Sequence, residues 1–225
     1  MGDPENLKVK EYHRLISDNI KPRDYPWRFI DDAYKVLVSE FMLHRTRAKQ
    51  VVPVYEEFID KYPSIEDFIR EDEGVILNQI KTLGLFWRIQ GMVKAVKQFY
   101  ENHGRIPLEY DLLIDTEGIG PYIAGAVMCF AGNKPEPLID TNTVRVIGRV
   151  FGLDLEGEAR RRKEIREMIK TTTPLENPKE YYYCVIDLAH EICHYRQPAC
   201  YRCPLTTICE FANNAEKNTI DYRKE

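Results

Sequence analysis

Glu117-Gly118-Ile119-Gly120-Pro121-Tyr122 sets two glycines one residue apart, between a short helix expected near 108–114 and another expected at about 121–131. Glycine permits positive φ and lets a backbone approach a ligand closely. A turn that opens a helix leaves unpaired N–H groups pointing outward. That is a ready anion site, and phosphate is the anion expected there. A tight helix–helix turn with no ligand would use the same residues.

Around this turn the sequence is helical throughout, and no stretch shows the strict alternation of a half-buried strand. Residues 5–20, with Leu7, Leu15 and Ile16 near one face, predict an amphipathic helix. Helices are expected at 32–44 and 48–61, the second with Val51, Tyr55, Phe58 and Ile59 at helical spacing. Ser64 and Asp67 resemble a capping box that opens a short helix. Further helices are expected at 87–102, 141–151, 158–171 and 179–192, with short loops between them. The fold class is all-α. Trp27 and Trp87 are read as core residues, and Arg160-Arg161-Arg162-Lys163 as a solvated helix face.

The 225 residues are 44% hydrophobic and 30% charged, the composition of a folded chain of one or two domains. Apolar runs such as Val36-Leu37-Val38 fall far short of the roughly 18 residues that a membrane span requires. The N-terminal MGDPENLKVKEYH is polar, so neither a membrane span nor secretion is expected. With 32 Lys and Arg against 36 Asp and Glu, the net charge of −4 argues in bulk against a nucleic-acid partner.

Of six cysteines, Cys129 and Cys184 stand alone in apolar helical stretches and read as buried small hydrophobes. Cys193, Cys200, Cys203 and Cys209 are spaced C-x6-C-x2-C-x5-C. Such clustering in a chain without a leader points to a metal rather than to disulfides. Four thiolates can hold zinc or an iron–sulfur cluster. One short pair with two wider arms favours the cluster over the paired C-x2-C knuckles usual for zinc.

Two carboxylates stand out. Asp140, in Leu138-Ile139-Asp140-Thr141-Asn142-Thr143, reads as the N-cap of the helix that follows. A helix N-terminus suits a carboxylate, and a carboxylate is what a positively charged transition state needs beside it. Glu40 lies within Val36-Leu37-Val38-Ser39-Glu40-Phe41-Met42-Leu43. By periodicity alone it belongs on a solvent stripe. In a dry cleft a glutamic acid could instead act as a general acid, and such a pair of carboxyl groups breaks glycosidic bonds.

Taken together, the Gly-x-Gly turn, the aspartate 20 residues beyond it and the four cysteines resemble the helix–hairpin–helix DNA glycosylases that carry a [4Fe–4S] cluster. This is the endonuclease III superfamily, and the likeness runs from about Tyr25 to Cys209. It implies a two-domain helical fold with the active site in the cleft between. One domain of six helices, 31–135, would end in the hairpin. The other, 1–30 with 136–225, would carry Asp140 and the cluster loop. Such an enzyme binds double-stranded DNA containing a mismatch, flips the target nucleotide out and cleaves its N-glycosidic bond. A monomer in the cytoplasm, associated with the nucleoid, is implied.

Residue by residue, the resemblance makes Asp140 the stabilising carboxylate, Glu40 the general acid or base contact, and Asn142 their companion. Bifunctional members form a Schiff base through a lysine at the position of Tyr122, so a monofunctional enzyme is expected here. Tyr122 would stack on the flipped base or shape its pocket. Gly118 and Gly120 would hold backbone phosphate, Leu85 would wedge into the gap, and His44 and Arg45 would hold the orphaned partner base. The four cysteines would ligate the cluster. His44-Arg45-Thr46, Gly84-Leu85 and Cys129 are similar to the thymine/uracil–guanine mismatch branch. Gly118-Ile119-Gly120-Pro121-Tyr122, Pro135-Glu136-Pro137 and Arg88 are similar to the adenine branch. Thymine or uracil opposite guanine is the preferred substrate, with adenine mispairs as the alternative. A non-enzymatic iron–sulfur DNA sensor would share the hairpin and cysteines but leaves Glu40, Asp140 and Asn142 unexplained. The acidic bulk charge is then reconciled by local basic residues: His44, Arg45, Arg47, Lys49, Arg88, Arg145 and Arg149.

Overall fold

Pro121–Phe130 forms a helix with no polar face: Ile123, Ala124 and every residue on to Phe130 are buried, which is the pattern of a helix at the centre of a core. In the computed structural model, which describes residues 4–84 and 86–214, it is α8. The others are α1 (Pro4–Asn19), α2 (Ala33–Leu43), α3 (Ala48–Lys61), α4 (Ile65–Arg70), α5 (Glu73–Ile80), α6 (Phe86–His103), α7 (Tyr110–Ile114), α9 (Thr141–Phe151), α10 (Lys163–Thr172) and α11 (Pro178–Glu191). Among the described residues there is no strand. None of the described helices is long and apolar enough to cross a membrane.

The chain divides into two compact units, Asp24–Lys134 and the described residues of Met1–Arg23 with Pro135–Glu225. In the first, α2 packs against α8, α3 and α6, and α4 and α5 lean on α6. α2 is buried from Val36 to Met42. Phe58, Phe68, Tyr62 and Tyr34 interlock edge to face beside it. Segment 24–30 belongs to this unit rather than to the other, because Trp27 is buried, stacked on Tyr25 and edge-on to Tyr55. In the second unit, α9 packs on α11 and α10, and α1 lies against α11 and α10.

Local signals account for most boundaries. The Ser64 hydroxyl accepts from Asp67 N at 3.2 Å and caps α4, as its spacing predicts. α5 has no counterpart in the sequence reading, although Asp72 caps it by accepting from Gly74 N and Val75 N. The helix expected over 158–171 starts later, at Lys163. A short 3-10 turn, Ala159–Arg161, precedes it, and Arg162 is drawn into extended backbone where it pairs with Asp154. Beside it Arg161 pairs with Glu158, so the basic run is solvated and matched by acids.

Tyr182, fully buried on α11, fixes the approach to α9. Its hydroxyl accepts from Leu138 N at 3.0 Å and bonds to Thr173 Oγ1 at 2.5 Å.

Candidate active site and nucleic-acid interface

Asp140 is the N-cap of α9, in extended backbone. Its Oδ1 accepts from Asn142 N at 2.9 Å and Thr143 N at 2.7 Å, and its Oδ2 from Asn142 Nδ2 at 2.8 Å. Thr143 completes a capping box by accepting from Asp140 N at 3.1 Å while donating to Leu138 O at 2.6 Å. The carboxylate is half-buried and held from three directions, so its orientation is set before any substrate arrives.

Asn142 is itself fixed. Its Oδ1 accepts from Arg145 Nη2 at 3.1 Å, and the same guanidinium donates to Thr141 O, Ala189 O and, through Nε at 2.7 Å, Cys193 O. Burial lowers the pKa of Arg145, opposed by the nearby Cys193 and Asp140. Arg149 donates to His194 O and Tyr195 O at 2.7 Å, lies 3.3 Å from Cys193 Sγ and sits over the Phe211 ring. Asp140, Asn142, Arg145 and Cys193 thus form one hydrogen-bonded chain. Arg145 and Arg149, expected among the DNA-facing cations, are instead spent on backbone carbonyls of the cysteine loop.

Cys193, Cys200, Cys203 and Cys209 line one small cavity with Val146, Leu188, Ile192 and Leu205. Burial pushes the Cys203 thiol up to about 11, and Cys193, Cys209 and Cys200 add to the rise. Burial likewise raises Cys200 and Cys209, with Cys193 contributing to both. Each sulfur therefore feels the others. Among the described residues no three His, Cys, Asp or Glu side chains are gathered closely enough to share one ion. The donor set is four thiols around a common cavity rather than a closed single-ion site.

In the other unit Glu40 is 6% exposed. The solvent stripe expected from periodicity does not exist, because α2 is enclosed by α3, α6 and α8. The hairpin follows α7. Gly118 has φ +88°, so a side chain there would be strained, and a Cβ would come into contact with Gly91 O at 3.4 Å. Ile119 is buried and anchors the turn through Ile119 N to Thr116 O at 3.1 Å. Gly120 is the N-cap of α8 and supplies no capping side chain, with Pro121 at the first position and half-buried Tyr122 next.

The family model of the HhH-GPD superfamily base excision DNA repair proteins matches residues 38–171, a span that covers Glu40, the hairpin and Asp140. The chain belongs to the HhH-GPD superfamily. It is 35% identical to the thymine-DNA glycosylase of Aeropyrum pernix over 92% of this chain and 93% of that protein. It is 30% identical to an adenine DNA glycosylase of Buchnera aphidicola over 88% of this chain but 57% of that protein. A solved thermostable thymine-DNA glycosylase superposes with a TM-score of 0.84 at 30% identity, covering 94% of this chain and 100% of that one.

Within this HhH-GPD chain, Glu40, His44, Arg45, Gly118, Gly120 and Tyr122 share one unit, and Asp140, Asn142 and the four cysteines the other. Leu85, the expected wedge, lies outside the described residues. His44 is the exposed C-cap of α2. Its pKa is lowered by burial, then by Arg88 and Arg45. Arg45 follows with φ +60°, a conformation that costs a non-glycine residue energy and marks a constrained turn. Trp27 is core as read, but Trp87 is 59% exposed. Arg88, counted as a DNA-facing cation, is 2% exposed.

Proposed function

We propose that this chain is a monofunctional base-excision DNA glycosylase that removes thymine or uracil opposite guanine from double-stranded DNA. The observation that carries the reading is the pre-oriented Asp140 carboxylate at the head of α9, accepting from Asn142 N, Thr143 N and Asn142 Nδ2. Near-full-length likeness to the Aeropyrum thymine-DNA glycosylase supports the pyrimidine branch. A thymine/uracil-DNA glycosylase of Methanothermobacter thermautotrophicus, 32% identical over 94% of this chain, supports it too.

As the bond between C1′ and the base stretches, positive charge develops on the deoxyribose, and the Asp140 carboxylate stabilises it. Water adds to C1′ and gives its proton to Asp140, while the departing pyrimidine is protonated by Glu40. Tyr122 stands where bifunctional relatives keep lysine, and a phenol cannot form an imine with C1′. Gly118, Gly120 and the α8 N-terminus hold phosphate through backbone N–H groups, which require no charged side chain. Of the arginines and lysines expected to face DNA, Arg45, Arg47 and Lys49 are exposed. The protein acts as a monomer in the cytoplasm.

The four cysteines fit a [4Fe–4S] cluster. They line one cavity, and burial disfavours free thiolates at Cys200, Cys203 and Cys209, a cost that bound metal removes. When bound, such a cluster supplies a one-electron centre and cross-links the loop. Iron analysis of the purified protein is expected to give about four iron atoms per chain. Stoichiometric zinc with no iron would contradict the assignment.

Incubation with a G:U duplex is expected to leave the strand intact until alkali is added, which then cuts at the abasic site. Cutting without alkali, or covalent capture of the protein by borohydride, would contradict a purely hydrolytic enzyme.

A further inference from the structure

α6 opens with two neighbouring residues in opposite settings: Trp87 is 59% exposed and Arg88 2%. Tryptophan is strongly buried on average, and Trp27 in this chain is. Trp87 is nevertheless held in place, since its ring meets His44 edge to face with centroids 6.2 Å apart at 82°. His44 in turn feels both Arg88 and Arg45, so two cations act on the imidazole that the exposed indole touches. Arg88 reaches only Thr46 Oγ1 at 3.3 Å and Leu83 O at 3.5 Å, and its Nε has no acceptor among the described residues. Among the described residues no carboxylate pairs with its guanidinium, which is buried one residue along α6 from the exposed indole. A π-face beside unpaired positive charge is the composition of a nucleobase-stacking site, where the ring takes the base and the cations take the flanking phosphates.

Resting on the reading of this chain as a protein that acts on duplex DNA, we propose that Trp87 is a stacking platform for a nucleobase of the bound duplex, with Arg45 and Arg88 supplying the positive field beside it. The sequence contains two tryptophans, Trp27 and Trp87, so fluorescence reads the contact directly. The unsubstituted protein, titrated with a G:T duplex, is expected to lose emission and gain protection from acrylamide at the same DNA concentrations at which anisotropy of a labelled duplex reports binding. W87F retains Trp27 as its only tryptophan and is expected to bind with no such quench. W87A is expected to bind the duplex roughly tenfold to a hundredfold more weakly, the loss of one base–aromatic stack. Heparin, a polyanion without bases, is expected to bind without quenching. Saturated duplex binding with unchanged emission, equal quenching by heparin, or an unweakened W87A would overturn the stacking role and leave the glycosylase reading intact. Failure to bind any duplex would overturn both.

Discussion

Replacing Asp140 with asparagine is expected to slow base release by on the order of 10³-fold, the loss of one charged group aimed at the developing cation. The fold is expected to survive, because asparagine is as good an N-cap as aspartate. The carboxamide oxygen can still accept from Asn142 N and Thr143 N, as Oδ1 does now. The loss falls on Oδ2, which now accepts from Asn142 Nδ2. In the variant two amide groups would face each other as donors, and no negative charge would remain. Single-turnover release of base, measured beside duplex affinity, separates the two contributions. Affinity within a few-fold of the unsubstituted protein with release nearly abolished is the expected pattern. Full turnover by D140N would remove Asp140 from the mechanism.

Arg145→Leu is expected to be the most damaging change outside the carboxylates. It would strip the donor from Cys193 O, Ala189 O and Asn142 Oδ1 at once. Orphaning partly buried acceptors of this kind costs about 2–4 kcal/mol of stability. Asn142, freed at one end, would no longer hold its amide against Asp140, so base release is expected to fall further than the loss of folded protein explains. Arg145→Lys is expected to recover only part of either loss, because an ammonium cannot reproduce the fixed fork of a guanidinium. Urea unfolding and single-turnover rates check the two effects separately. Unchanged stability together with unchanged release would break the proposed link from cysteine loop to carboxylate.

Arg145 separates the features that local sequence specifies from those that it does not. Helix content, the glycine turn, and the Asp140 and Ser64 caps are written in local sequence, because each depends on neighbours within four residues. Asp140 as N-cap needed only Thr143 and the start of an apolar period. The surroundings of charged side chains are not local. Arg145 and Arg149 read as surface cations in the sequence, yet they donate to the carbonyls of Ala189, Cys193, His194 and Tyr195, more than 40 residues along the chain. Glu40 failed for a related reason. Periodicity assigns a polar residue to solvent and cannot foresee that a helix will be enclosed on every side. Trp87 departs in the opposite direction: hydrophobicity predicts burial, and the exposed indole breaks that rule at the proposed DNA-facing surface.

Quantified release of free base from four duplexes, G:T, G:U, A:G and A opposite 8-oxoguanine, tests the central assignment most directly. Thymine and uracil leaving the first two, with adenine retained in the others, is the predicted result. Release of adenine with thymine and uracil retained would contradict it.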